Sequence, residues 1–255
     1  MKSRILTAAA LVVFTSCAIA EEAPPVEKVV IDATTERVLL DACAYLRSAE
    51  RYSVNVDVNY DEVLLDGTTV QYSRDNRVTM VRPDRLRLDV NDDRGARNVY
   101  FDGKSVTLYR PDSGLYAVAE TSGNLDAMLD LAEAKGISLP LDDLLYSQPC
   151  ATFGEHLRTG TYAGLHYLDG DWYHHLLLAT DAVDVQLWVA LGEEPVIQKV
   201  VITYRDAPGA PQYSALMSDW DFTSEIDGTL FTFAPPDGAR KVAFRTQQAP
   251  QGDTE

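Results

Sequence analysis

Strict alternation of apolar and polar residues is what most limits the folds open to this chain. Val54, Val56, Val58 and Tyr60 interleave with Ser53, Asn55, Asp57 and Asn59. A period of two puts one set on the dry face and the other on the wet face of a β-strand, a segregation no helix can produce. Asp66-Gly67 then supplies a hairpin turn. Further short strand runs follow over residues 70–74, 78–81, 85–90, 98–101, 106–110 and 115–119. Between them stand Arg82-Pro83-Asp84, Asn91-Asp92-Asp93-Arg94-Gly95, Asp102-Gly103 and Pro111-Asp112-Ser113-Gly114. Connections this short join antiparallel neighbours, because parallel strands need long crossovers.

Helical periodicity interrupts the strand pattern twice. Over residues 32–50, Val38, Leu39, Ala42, Leu46 and Ala49 share one face, with Thr34 or Thr35 as the expected cap. Over 124–135, Leu125, Met128, Leu129 and Ala132 do the same, and Gly136 stops the helix. Short helices are also expected over 139–146 and 150–158. Strands resume over 162–168, 172–180, 183–191, 199–204, 212–222, 229–233 and 241–244. The expected fold class is mainly β (α+β), a curved antiparallel sheet of about 11 strands with helices over its open side. No repeat or linker divides residues 21–245, so they are expected to form one domain. The polar stretch 246–255 is expected to be disordered.

Residues Met1 to Ala20 read as a secretory leader. Lys2 and Arg4 precede an apolar run over residues 5–14, and Ala18-Ile19-Ala20 is a cleavage site of the A-x-A type. The apolar run is too short to cross about 30 Å of hydrocarbon. Cleavage after Ala20 makes a soluble periplasmic protein; the alternative is a lipid anchor on Cys17, which follows a weak lipobox, Phe14-Thr15-Ser16. Beyond Cys17 the cysteines are Cys43 and Cys150. In an oxidising compartment they can form one disulfide closing a long loop, worth up to ~5 kcal/mol. The alternative is two unrelated buried thiols.

The chain carries 22 Lys and Arg against 39 Asp and Glu, a net charge of −17. Such a surface repels nucleic acid and anionic headgroups. No G-x-S-x-G, P-loop, C-x-x-C or H-E-x-x-H motif occurs, and no metal, cofactor or catalytic residue is assigned. The histidines are His156, His166, His174 and His175. On a strand His174 and His175 point to opposite faces, while His166 and His174 can meet across a hairpin. A zinc site with Asp169 or Asp171 is one reading of that pair, and ordinary packed histidines are the other. Asp142-Asp143, Asp92-Asp93 and Asp61-Glu62 read as caps, turns and solvated faces.

Two separated segments add a resemblance. Arg82-Pro83-Asp84-Arg85-Leu86-Arg87-Leu88-Asp89 leads to Tyr100-Phe101-Asp102-Gly103-Lys104-Ser105. Near the C-terminus stands Phe231-Thr232-Phe233-Ala234-Pro235-Pro236-Asp237-Gly238-Ala239. Together, and in this order, they resemble the periplasmic lipoprotein-carrier superfamily of LolA, LolB and LppX. Ala42-Cys43-Ala44-Tyr45-Leu46, Gln186-Leu187-Trp188 and Val201-Ile202-Thr203-Tyr204 look closer to a branch of predicted periplasmic proteins of unknown function.

The resemblance implies a half-barrel that holds acyl chains under a helical lid, with 231–233 in a closing strand. The expected pocket or lid residues are Leu125, Met128, Leu129, Leu141, Leu144, Leu145 and Trp188. Arg82, Arg85 and Arg87 are candidates for a gate, an inward arginine that bonds lid carbonyls and yields to ligand. The other reading pairs them on the outside with Asp84, Asp89 and Asp92. The implied partners are a hydrophobic ligand or lipoprotein and a membrane-associated donor or acceptor, and the protein is expected to act as a monomer. The rivals are a structural or protein-binding module with a filled interior and a lipid- or sugar-modifying enzyme.

Overall fold

The computed structural model describes residues 29–121, 123–137, 139 and 141–244. The leader, Cys17, the stretch 21–27 and the tail 246–255 lie outside the described residues. The elements in chain order are β1 (Val30–Ile31), α1 (Ala33–Ser48), β2 (Arg51–Val63), β3 (Thr69–Val81), β4 (Arg85–Asp92), β5 (Gly95–Phe101), β6 (Ser105–Arg110) and β7 (Leu115–Glu120). Then come α2 (Leu125–Ala134), α3 (Ala151–His156), β8 (Thr159–Leu168), β9 (Asp171–Ala179), β10 (Val183–Ala190), β11 (Ile197–Tyr204), β12 (Gln212–Asp221) and β13 (Arg240–Lys241).

Among the described residues all thirteen strands belong to one open, curved sheet, ordered β1-β8-β9-β10-β11-β12-β2-β3-β4-β5-β6-β7-β13. Two antiparallel meanders, β2–β7 and β8–β12, are spliced where β12 pairs with β2, from Tyr213 opposite Tyr60 onward. The two-residue strands β1 and β13 pair in parallel with β8 and β7 at the two edges. The sheet curves around α1 and α2 without closing into a barrel, as a half-barrel does.

Strand parity decides which side chains meet. Tyr52, Val54, Val56 and Val58 of β2, Leu86, Leu88 and Val90 of β4, and Val185, Leu187 and Val189 of β10 all point to the inner face. There they pack on Val38, Leu39, Ala42 and Leu46 of α1 and on Leu125, Met128, Leu129 and Ala132 of α2. The helix faces read from the sequence are therefore the buried ones.

The cap of α1 is Asp32, not Thr34 or Thr35. Its carboxylate accepts from the Thr34 and Thr35 backbone N–H groups at 3.0 and 2.9 Å and from the Tyr162 N–H at 2.6 Å. These bonds hold its carboxyl below the usual carboxylate range, the Thr35 N–H contributing most. One side chain thus starts the helix and pins it to β8. Gly160 of β8 permits the close approach, since a Cβ there would sit 2.8 Å from Ile31 Cγ2.

Several expected elements differ. The runs 70–74 and 78–81 are one strand, paired with β2 without a break from Thr69 to Val81. Polar Ser73 to Arg77 hides the period, and the ladder on both sides holds the strand together. Among the described residues of 139–146 the one helical element is a 3-10 turn, Asp142–Leu144, after Leu141 in the left-handed region at φ 51. The expected 150–158 helix shortens to Ala151–His156. Residues 229–233 do not form a closing strand. Gly228–Phe231 is a 3-10 turn, and Phe233 sits among the rings of Tyr100, Tyr109 and Tyr116 with centroids 5.0–5.1 Å away. The expected 241–244 strand reduces to Arg240–Lys241.

Candidate functional site

The inner face is not filled everywhere. A cavity of about 480 Å3 lies between β10, β11 and β12 on one side and the segment 139–150 on the other. Val185, Leu187, Val200 and Ile202 form its floor, and Leu139, Leu141 and Leu144 its cover. Cys150 lines its wall. A second cavity of about 790 Å3 lies over β4, β5 and β6, between Ile137 and the segment Val242 to Phe244. Tyr60 and Arg74 line both cavities, so the two abut at one cation–aromatic pair, with the guanidinium carbon 5.0 Å from the ring centre. Both volumes fall in the range of roughly 300–1,000 Å3 typical of ligand pockets.

The cover is tethered at discrete points. Cys43 of α1 and Cys150 are joined in a disulfide across 107 residues. Ser147 donates from its N–H and hydroxyl to Asp126 of α2 at 2.7 and 2.6 Å, and the Tyr146 hydroxyl donates to Asp130 at 2.9 Å. The N–H of Leu125 donates to the Pro83 carbonyl at 2.8 Å. Arg82 reaches from the end of β3 to donate to the Leu145 carbonyl at 3.4 Å. Its Nε and Nη2 are buried and find no partner among the described residues. Burial pushes this guanidinium below its usual value, with Tyr52 and Asp126 opposing more weakly.

Polar groups cluster where the cavities meet. Arg74 Nε and the Tyr213 hydroxyl are buried without a hydrogen-bond partner among the described residues. Burial pushes the Tyr213 phenol up to about 12. Asp142, on the cover, is raised above the usual carboxylate range by burial first, then by Asp143 and Glu133. A dry wall with a few polar groups at one end suits a ligand that has an apolar body and a polar tip.

The expected site residues divide. Leu141 and Leu144 line the first cavity. Leu125, Met128, Leu129 and Leu145 instead pack into the main core, at 4% exposure or less, and line neither cavity. Trp188 is on the outer face, stacked on His175 with centroids 4.1 Å apart, because it shares strand parity with Asp184 and Gln186 and not with Leu187. Arg85 and Arg87 also face outward. Arg85 pairs with Asp84 at 3.0 Å; Arg87 pairs with Asp89 at 2.5 Å and lies over the Tyr100 ring. Of the three arginines only Arg82 bonds a carbonyl of the cover. His166 meets His175, with Nδ1 atoms 2.9 Å apart, and not His174, which bonds Tyr162. Among the described residues no group of three His, Cys, Asp or Glu is placed to hold a metal ion.

Arg74, Tyr60, Tyr213 and Ile202 were missed. For Arg74 a signal existed. Counted through as one strand, residues 69–81 place Arg74 on the dry face in step with Val70, Tyr72, Val78 and Met80. A charged residue at a dry position is uncommon unless paired, and so stands out from its strand.

The geometry is therefore an open, curved sheet with an apolar cavity under a tethered cover. The chain belongs to the family described as predicted periplasmic protein (DUF2092), whose family model matches residues 35–245. That is the kind of family to which the second set of sequence stretches pointed. No curated protein matches the chain. Among solved structures it is similar to LprF from Mycobacterium bovis at 13% identity and a TM-score of 0.49, over 77% of this chain and 97% of that one. It is also similar to the lipoprotein LppX from Mycobacterium tuberculosis at 11% identity and a TM-score of 0.43, over 77% and 100%. A LolA superfamily protein from Nitrosomonas europaea is similar at 11% identity and a TM-score of 0.40, over 78% and 97%.

Proposed function

We propose that this protein is a non-enzymatic periplasmic binding or carrier protein for a hydrophobic ligand, a lipid or the acyl chains of a lipoprotein. Secretion would use a leader cleaved after Ala20. A single observation carries the reading: the apolar cavity of about 480 Å3 between Val185, Leu187, Val200 and Ile202 and the cover at Leu139, Leu141 and Leu144. A protein-binding module with a filled interior has no use for that space. The cover is the part that opens, with Arg82 holding the Leu145 carbonyl in the closed state. Burying each CH2 contributes ~0.8 kcal/mol, so a sixteen-carbon chain gains ~12 kcal/mol gross. Ordering the chain and the cover offsets part of this, which leaves an affinity near micromolar, compatible with release to a membrane-associated acceptor.

The test is titration of the mature protein with a fluorescent fatty acid. Saturable binding is expected, and Leu187→Asp, a charge placed in the dry floor, is expected to abolish it. Leu144→Asp, on the less tightly packed cover, should do the same with less effect on folding. A wild-type protein that shows no saturable uptake of acyl probes contradicts the reading.

A further inference from the structure

The second cavity differs in charge from the rest of the molecule. Five cationic side chains line it, Arg74, Arg94, Arg97, Arg110 and Lys135, against one carboxylate, Asp92. The whole chain has a net charge of −17, so this concentration of positive charge runs against the composition. Two of the five are already paired: Arg97 with Asp92 at 2.6 Å, and Arg94 with Glu62. Arg74, Arg110 and Lys135 make no ion pair among the described residues. Arg74 also keeps Nε buried without a partner. An arginine held half-buried over Tyr60, with a donor turned away from water, is costly unless an acceptor arrives.

The first cavity has the opposite character. Its floor is aliphatic, its cover sets Asp142 and Asp143 beside Leu139, Leu141 and Leu144, and Arg74 is its one cation against these two carboxylates and Asp61, so an anionic head is disfavoured there. Because Tyr60 and Arg74 line both, a ligand can place a chain in the first and a head in the second with Arg74 at the joint.

Resting on the carrier reading above, we propose that the ligand is an anionic amphiphile, its phosphate or carboxylate head held in the second cavity by Arg74, Arg110 and Lys135. The guanidinium of Arg74 donates to the head at the joint, a charge-assisted bond in a partly dry setting. Arg110, at the end of β6, and Lys135, at the end of α2, close on the head from the rim. The apolar part of the second cavity, Leu88, Val90, Val99 and Leu108, holds the first carbons or a second chain.

Three amphiphiles with one tail separate the possibilities: dodecyl phosphate, dodecanol and dodecyltrimethylammonium, each below its micelle threshold, displacing a fluorescent acyl probe. Dodecyl phosphate is expected to bind roughly tenfold tighter than dodecanol, the value of one charge-assisted bond. That advantage should shrink as salt is raised. In Arg74→Gln, and separately in the rim variant Arg110→Gln with Lys135→Gln, the phosphate-to-alcohol ratio should fall towards one. The rim positions guard against a folding defect at Arg74, and thermal melts of both variants check it. Equal binding of phosphate and alcohol, or tightest binding of the ammonium, overturns the anionic head while leaving the carrier reading in place. A phosphate preference unchanged in both variants overturns the site. Failure of all three to displace the probe removes the carrier reading and the proposal with it.

Discussion

The two faces of this sheet use the same chemistry to opposite ends. On the outer face the segment after β12 lies over β4–β7. Phe233 sits among Tyr100, Tyr109 and Tyr116, Arg87 stacks on Tyr100, and Phe231 is buried at 2% exposure outside the main core. On the inner face Arg74 stacks on Tyr60, yet the space around the pair stays open on both sides. Rings and guanidinium groups fill one side and frame cavities on the other. The difference lies in what covers them. The outer cover follows the strands closely, whereas the inner cover, 139–150, is short of regular structure and fixed at a disulfide and a few hydrogen bonds. Closely packed covers serve stability, and loosely tethered covers serve exchange.

The contrast predicts separable effects. Phe231→Ala should cost the most stability, about 3–5 kcal/mol, the usual range for a buried ring truncated to a methyl group. Acyl-probe affinity should stay near wild type at temperatures where the variant is folded. A variant that melts normally but no longer binds the probe would break the division between the faces. Denaturant melts and probe titration on one sample decide it.

Removing the disulfide probes the other side. Cys43→Ser with Cys150→Ser should cost about 2–4 kcal/mol of global stability through the unfolded chain. Its distinctive effect should be local. Amide exchange over 141–150 should speed up far more than over Arg51–Val63 of β2. Uniform acceleration would mean that the cover is as integral as the strands.

The smallest effect concerns acidity on the outer face. His175 is 6% exposed, between Trp188, His166 and Gln186. Burial, then His166 and, more weakly, Lys199 lower its pKa below 6.5, while the bond to Gln186 raises it. Its folded state therefore prefers the neutral ring, and the unfolded state binds the proton more readily. Stability from this group is full above pH 6.5 and is lost as the pH falls from there towards the lower folded pKa. A modest fall in melting temperature between pH 7 and pH 5.5 is expected, smaller in His175→Asn. Binding of the acyl probe, on the opposite face, should not follow that titration.

Local pattern carried much of this fold. Val54 to Tyr60 alternates so cleanly that β2 and its inner face were readable at once, and the helical faces of Val38–Leu46 and Leu125–Ala132 were equally legible. Periodicity reports which side of one element is dry, because burial acts on each side chain through its own strand or helix. Parity also held the answer for Trp188, in step with Gln186 and opposite Leu187, but the resemblance drew it into the pocket. Other features have no local signature. Cys43 and Cys150 meet across 107 residues. Arg74 to Arg77 stays extended because it pairs with β2 on one side and β4 on the other. Phe233 lies off the ladder, where three tyrosines from three strands receive its ring. A cavity, finally, is space left between elements distant in sequence, and its volume depends on how all of them pack at once.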